Sequence, residues 1–218
     1  MARFLLFLGM LVPLIYLGAV LGAAWFYPGY SHVTQYVSEL GAKASPHREI
    51  FNYGLQAGGV AAILGAFGFF LALHKLSRGF VFATLTTVAI GLWGISMVMG
   101  GLYPMPDPRH GAYGLGMALN AAPLLLLLAL MRDSKLAWLK ALSMLVFLVS
   151  GGLLAIMMGY GPMTHIPQLA VHKSDVGLWQ RAYALSIIPW IGLAALGLSG
   201  VMGRLQRRAA IAPKLAMD

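Results

Sequence analysis

The chain has 218 residues, of which 60% are hydrophobic and 10% are charged, and its formal net charge is +9. Soluble domains typically carry about 25% charged residues, and a soluble fold of this size cannot bury so much apolar surface, so that class is excluded. The chain has no cysteine, which excludes disulfides, thiolate metal sites and cysteine nucleophiles. Its basic residues lie in short loops and form no stripe with aromatic residues, so nucleic acid is not an expected partner.

Six apolar segments follow one another along the chain, and a helix of about 20 apolar residues crosses a bilayer core. The segments are Phe4–Tyr27, Phe51–Leu73, Phe80–Tyr103, Leu115–Met131, Trp138–Tyr160 and Leu178–Gly203. Their apolar runs are continuous rather than alternating, which favours helices over the strands of a barrel. The predicted fold is therefore an all-α integral membrane bundle of six transmembrane helices, with residues 1–203 as one domain and 204–218 as a basic cytoplasmic tail.

The first segment also has features of a secretory signal peptide, because Arg3 precedes its apolar stretch and small residues follow at Gly22 and Ala23. Its apolar region is longer than a signal core of about 7–15 residues. Its removal would also place the basic C-terminal residues on the other side of the membrane. We therefore interpret this segment as the first transmembrane helix.

Basic residues are divided unequally between the two sides of the predicted bundle. The richer side carries Arg3, Lys75, Arg78, Arg132, Lys135, Lys140, Arg204, Arg207, Arg208 and Lys214. The positive-inside rule places this side in the cytoplasm. We therefore expect a multi-pass protein of the inner (cytoplasmic) membrane with both termini cytoplasmic. All tyrosines except Tyr16 fall near the outer ends of the spans.

The first outer loop contains a helical pattern between Ser31, a residue type that caps helices, and Gly41, a residue type that ends them. Its apolar residues recur at helical spacing, whereas His32, Gln35 and Glu39 occupy another face. This pattern predicts a short amphipathic helix. It is either an anchor at the membrane surface or a wall of a polar site.

Polar residues concentrate on the predicted outer side, where five of the six histidines also lie. Polar groups at the ends of spans usually find partners within the bundle. The candidate residues for a polar or ligand-binding site are His32, Ser38, Glu39, Asn52, Gln56, Asp107, His110, Gln180 and Arg181. They form either a satisfied polar cap or a ligand pocket.

The spacing of these residues matches no strong catalytic or metal-binding motif. There is no H-E-x-x-H sequence, and Pro167 separates His165 from His172, so neither a metal nor another cofactor is predicted. No G-x-S-x-G elbow exists for a serine hydrolase. Acid–base chemistry by His110 with Asp107 or Glu39 is chemically feasible, which leaves an enzyme open. An ion-coupled pump is disfavoured because the spans carry no ionisable groups at membrane depth.

Small residues mark the faces through which the helices are expected to pack, since lipid provides no hydrophobic drive between helices. The pairs are Gly18/Gly22, Gly54/Gly58, Gly65/Gly68 and Gly91/Gly94. We interpret them as seams within the chain, with a homodimer seam as the alternative. Pro13, Pro123 and Pro189 lie inside spans and are expected to kink them.

Several short motifs resemble the prokaryotic membrane-protein family catalogued as domain of unknown function 998. They are the loop 28–41 with its Ser-Glu-Leu-Gly end, Asn52–Gly54, Tyr103-Pro104 with Asp107 and His110, and Gly177–Arg181. The resemblance covers nearly the whole chain. It implies a compact helical membrane domain and no established activity.

The leading functional expectation is a site at the outer face that binds a lipid-like or other amphiphilic ligand, because polar and aromatic residues lie beside lipid-facing helices. Membrane lipids are the expected partners. One alternative is an enzyme acting on a lipid or isoprenoid at the outer leaflet, which requires Glu39, Asp107, His110 and Arg181 to converge. The other is an assembly or stability subunit with a membrane-protein partner.

Overall fold

The structure is a computed structural model that describes residues 1–76, 80–133, 136–159 and 174–215, with side chains described through Ile211. Within these ranges it contains helices and no strands, and six helical segments are long and apolar enough to cross a membrane. The α-helices are α1 (Ala2–Trp25), α2 (Arg48–Leu76), α3 (Phe80–Leu102), α4 (Ala122–Ala129), α5 (Ala137–Met157) and α6 (Val176–Leu215). The predicted six-helix membrane architecture is confirmed.

The fourth span differs from a regular helix. It begins as a 3₁₀-helix over Ala112–Ala121 and continues as α4. Tyr113 and Gly114 adopt left-handed backbone angles, with φ of 53° and 82°. Pro123 lies in the first turn of α4, a position where proline is common. The change from 3₁₀-helix to α-helix occurs next to this proline.

The helices close into a ring, because each packs against its neighbour in chain order and α6 returns to α1. Glycines allow the closest contacts: a Cβ on Gly59 would lie 2.5 Å from the Gly94 oxygen, and one on Gly65 would lie 2.9 Å from the Gly9 Cα. By contrast, Gly18 and Gly91 have no neighbour within 4 Å of a built Cβ. Only part of the predicted glycine set therefore forms seams within the chain.

The core is apolar and is anchored by Trp190 of α6, whose side chain is fully buried. Its indole Nε1–H donates to the Ser143 Oγ of α5 over 2.9 Å, and its ring lies 6.5 Å from that of Phe69 on α2. A buried indole N–H needs such a partner. This contact ties three helices together in the middle of the bundle.

Helix α6 has 40 residues, so at 1.5 Å per residue it is about 60 Å long, roughly twice the thickness of a bilayer core. The segment predicted as a basic tail begins as a continuation of this helix. Arg204, Arg207 and Arg208 are exposed there.

Candidate functional site

The polar residues predicted to form a site lie at one end of the bundle, here called the mouth. It comprises the loop 26–47 between α1 and α2, the segment 103–111 after α3, and the start of α6. The opposite end, where α2 ends and α6 finishes, is called the tail end.

The loop after α1 is docked on the start of α6 through backbone groups. The Leu178 amide donates to the Val33 oxygen over 3.0 Å, and the Val37 amide donates to the Gln180 Oε1 over 2.6 Å. In a continuous α-helix, Val37 N–H would instead bond to Val33 C=O, four residues earlier. The Val33 oxygen and the Val37 amide are therefore bonded to α6 instead of to each other.

This docking explains a difference from the predicted amphipathic helix. A short helix is present, but it is a 3₁₀-helix over Val37–Gly41, and the residues from Ser31 form a separate turn. The Ser31 Oγ accepts the Thr34 amide over 3.2 Å, so the predicted cap stabilises this turn. The Glu39 carboxylate accepts the Tyr36 amide over 2.8 Å and thereby caps the 3₁₀-helix.

Arg181 of α6 is the centre of a set of long-range contacts with the loop. Its Nε donates to the His32 Nδ1 over 3.1 Å, and its Nη1 donates to the Gln35 oxygen over 3.0 Å and to the Gly177 oxygen over 2.9 Å. Its Nη2 donates to the Tyr30 hydroxyl. We call Tyr30, His32, Gln35 and Arg181 the arginine cluster.

Gly177 permits this arrangement because the loop backbone crosses α6 at its position. A Cβ there would overlap the Gln35 oxygen and would lie 2.8 Å from the His32 oxygen. Both atoms belong to backbone, which cannot move aside as a flexible side chain can. The Gly-Leu-x-Gln-Arg sequence at residues 177–181 therefore combines close approach with the two polar side chains that hold the loop.

Within the part of the chain that the structure describes, the positive charge of the arginine cluster has no carboxylate in an ion pair with it. The nearby Glu39 carboxylate accepts the Gln35 Nε2–H over 3.0 Å as well as the Tyr36 amide. Burial and the charge of Arg181 lower the pKa of His32, which favours the neutral ring that can accept the arginine N–H. Burial raises the pKa of the Tyr30 phenol.

A groove runs from the arginine cluster between the outer surfaces of α1 and α6, with a volume of about 100 Å³. Tyr16, His32 and Arg181 border the groove, and its surface is almost entirely apolar. The remaining lining is apolar and consists of Leu17, Val20, Leu21, Val37, Ala184 and Leu185. Leu21 and Leu185 are 60% and 54% exposed, so the groove opens sideways toward the surface that faces lipid.

The segment after α3 forms a second polar group with local partners. Arg109 pairs with Asp107 over 2.7 Å and stacks on the Tyr103 ring, with its Cζ 3.9 Å from the ring centroid. The hydrogen bonds from Arg109 lower the pKa of the Asp107 carboxyl to about 2. Such a carboxylate is a weak base at neutral pH. The His110 Nδ1 lies 3.0 Å from the Tyr103 oxygen.

The 3₁₀-helix of the loop lies between these two groups. Its Ser38 Oγ donates to the Met105 Sδ over 3.0 Å, and its Gly41 oxygen accepts the Asn52 Nδ2–H over 3.1 Å. Gln56, one turn further along α2, packs against Gly101: a Cβ built there would lie 2.9 Å from the Gln56 Cγ. Ser38, Asn52 and Gln56 therefore make contacts among the loop, α2 and the end of α3, and none of them lines the groove.

A comparison with protein families matches residues 10–197 to the family described as "Protein of unknown function (DUF998)". The chain belongs to the DUF998 family. This confirms the resemblance seen in the short motifs, and the matched range contains α2 to α5 in full, together with parts of α1 and α6. No curated protein and no solved structure matches the chain significantly.

The mouth of this DUF998 chain divides the predicted site residues into two sets. His32 and Arg181 join directly, Glu39 reaches them through Gln35, and Gln180 anchors the same loop. Asp107 and His110 instead bond within the segment after α3. The predicted outer histidines His165 and His172 lie outside the described residues.

Sequence reasoning did not single out Tyr16, because it is the one tyrosine distant from the predicted outer ends. A polar hydroxyl within an otherwise apolar span was the available signal. The outer tyrosines and the loop pattern include Tyr30 and Gln35, but the bonds of these residues to Arg181 depend on tertiary structure. Within the described ranges, no three acidic or histidine side chains are grouped so as to hold a metal ion.

Proposed function

We propose that this DUF998 protein binds an amphiphilic molecule of the membrane in the groove between α1 and α6. The observation that carries the proposal is the continuity of an apolar groove, open toward lipid, with the polar arginine cluster at the mouth. A pocket of this kind accommodates a ligand with an apolar chain and a polar head.

Binding is favoured over catalysis by the partners of the acidic and histidine side chains. An acid–base reaction would require a base and an acid near one reacting atom. Among the described residues, no hydrogen bond or ion pair links Asp107 or His110 to Glu39 or Arg181. Asp107 is also occupied by Arg109. The arginine cluster at the end of the groove is therefore better suited to hold a head group than to catalyse a reaction.

We further propose that the mouth faces outward in the inner membrane and that both termini are cytoplasmic. The tail end carries seven described cations, against four at the mouth, where most acidic residues also lie. The seven are Arg3, Lys75, Arg132, Lys140, Arg204, Arg207 and Arg208. This asymmetry supports the assignment through the positive-inside rule.

Cysteine labelling tests this orientation, because the natural chain offers no competing thiol. The exposed residues Thr34 and Ala209 give matched positions at the two ends of the bundle. In cells whose inner membrane is intact but whose outer layers are permeabilised, a membrane-impermeant maleimide is expected to label Thr34→Cys but not Ala209→Cys. The reverse pattern would invert the proposed topology.

Thermal denaturation in detergent with added amphiphiles tests the binding proposal. A ligand at 100 times its Kd stabilises the folded state by about 2.7 kcal/mol, so at least one amphiphile should raise the melting temperature. Leu21→Trp, which fills the groove, is expected to abolish the shift. Leu148→Trp is the matched control, since Leu148 is 61% exposed on α5, away from the groove. The absence of any shift in the natural protein would refute the proposal.

A further inference from the structure

The charge at the end of the groove and its apolar walls identify the chemical class of the ligand. This inference rests on the proposed function. We infer that the occupant is an anionic phospholipid whose phosphate contacts Arg181 and whose acyl chain lies between α1 and α6. Three features support this inference: the charge balance at Arg181, a free phenol at Tyr16 and the shape of the apolar lining.

The first feature is the positive charge of Arg181. A guanidinium has five N–H donors, and the four bonds to Tyr30, His32, Gln35 and Gly177 leave one N–H on Nη2. All four acceptors are neutral groups, and no described carboxylate pairs with the guanidinium. The bonds orient the guanidinium without neutralising it. A phosphate is an anion that arginine binds with strong, charge-assisted hydrogen bonds.

The second feature is the hydroxyl of Tyr16, which borders the groove about one and a half turns deeper along α1 than Leu21. Among the described residues, this hydroxyl has no hydrogen-bond partner. A phenol that borders an apolar groove can donate to an acceptor placed there. The ester carbonyl of a lipid lies between its phosphate and its acyl chain, so it supplies an acceptor below a head group held by Arg181.

The third feature is the arrangement of the lining along the groove. The cationic residue lies toward the mouth, the phenol lies deeper, and aliphatic side chains occupy both walls. This order matches the order of phosphate, ester and acyl chain in a phospholipid. The open side between Leu21 and Leu185 gives a lipid direct access from the bilayer. The volume of about 100 Å³ corresponds to a few methylene groups, so the groove holds the part of one acyl chain nearest the ester.

The inference is tested by lipid titration of the full-length protein in detergent, with native mass spectrometry to count bound lipid and melting temperature to measure stabilisation. The probes are phosphatidylglycerol and phosphatidylcholine with identical acyl chains, together with glycerol phosphate as the head group without chains. Phosphatidylglycerol is expected to bind about tenfold more tightly than phosphatidylcholine, because both carry a phosphate but the choline cation of the latter is repelled by the charge of Arg181.

Arg181→Gln should remove this preference, whereas Arg109→Gln, which changes an arginine at the same end, should preserve it. Because Arg181→Gln also loses contacts to the loop, Tyr16→Phe provides a second variant that leaves the arginine cluster intact. It should weaken phosphatidylglycerol binding by about threefold to tenfold, the contribution of one neutral hydrogen bond. Unchanged binding in Tyr16→Phe would overturn the placement of the lipid in the groove.

The remaining outcomes separate this inference from the proposed function. Equal binding of the two phospholipids would overturn the inference but leave an amphiphile site. Equal affinity for glycerol phosphate alone would indicate a soluble anion as ligand and would also overturn it. If neither phospholipid nor any other amphiphile bound, the proposed function itself would fail.

Discussion

Arg181 and Arg109 lie at the same end of the bundle but in opposite kinds of surroundings. Arg109 bonds to Asp107, two residues away, and the resulting pair is neutral and exposed. The loop partners of Arg181 are 146, 149 and 151 residues away and are all neutral. A local ion pair adds little to a fold, whereas a charge held by distant neutral groups both joins two segments and keeps its attraction for an anion.

The loop and the segment after α3 therefore contribute differently to the mouth. The loop depends on α6 for its conformation, since Leu178, Gln180 and Arg181 all bind its backbone. The described ion pair and histidine bond of the segment after α3 instead lie within that segment. Changes that separate the loop from α6 should disturb the groove, whereas equivalent changes near Asp107 should not.

Gly177→Ala is expected to have the largest effect on the docking of the loop on α6. An added Cβ would overlap the Gln35 oxygen, so the loop backbone must move and weaken the bonds of Leu178 and Arg181. Overpacking of this kind typically costs about 1–3 kcal/mol, which exceeds the gain of up to about 1 kcal/mol from replacing a helical glycine by alanine. A lower melting temperature and faster proteolysis within the loop would reveal the change.

Gly200→Ala is the matched control for this substitution. Gly200 lies in the same helix, and the nearest atom to a built Cβ is the Arg204 Nη1 at 3.9 Å. Only the helix-propensity gain applies there, so stability should stay the same or increase by up to about 1 kcal/mol. If Gly177→Ala were as stable as Gly200→Ala, the close docking of the loop on α6 would be wrong.

Sequence reasoning recovered the membrane spans because their signal is local: long uncharged apolar runs leave the helix as the only structure that pairs every backbone group. It also placed Arg181 and His32 at one end of the bundle. It did not predict the division of the loop between Ser31 and Gly41, because α6 accepts and donates the hydrogen bonds that a single helix would use. The relevance of Tyr16 likewise depends on the proximity of α1 to Arg181.

The smallest predicted effect is a difference between the loop and the segment after α3 in how their contacts respond to low pH. The His32 Nδ1 accepts the Arg181 Nε–H, and burial together with the arginine charge lowers the pKa of His32 in the folded chain. An unfolded histidine has a pKa of about 6.5, so below this pH the unfolded chain binds more protons than the folded one. Stability linked to His32 should therefore be complete above this pH and should fall as the pH decreases below it.

The Asp107 carboxyl, with a pKa of about 2, stays ionised over the same range, so its ion pair with Arg109 should not respond. Melting temperatures between pH 7.5 and 5.0 should therefore decrease less in His32→Gln than in the natural protein. Asp107→Asn should retain the natural decrease. The effect should be smaller than that of Gly177→Ala because His32 is exposed to solvent, which screens the repulsion between its protonated ring and Arg181. An identical slope in His32→Gln would show that this histidine does not couple the loop to α6.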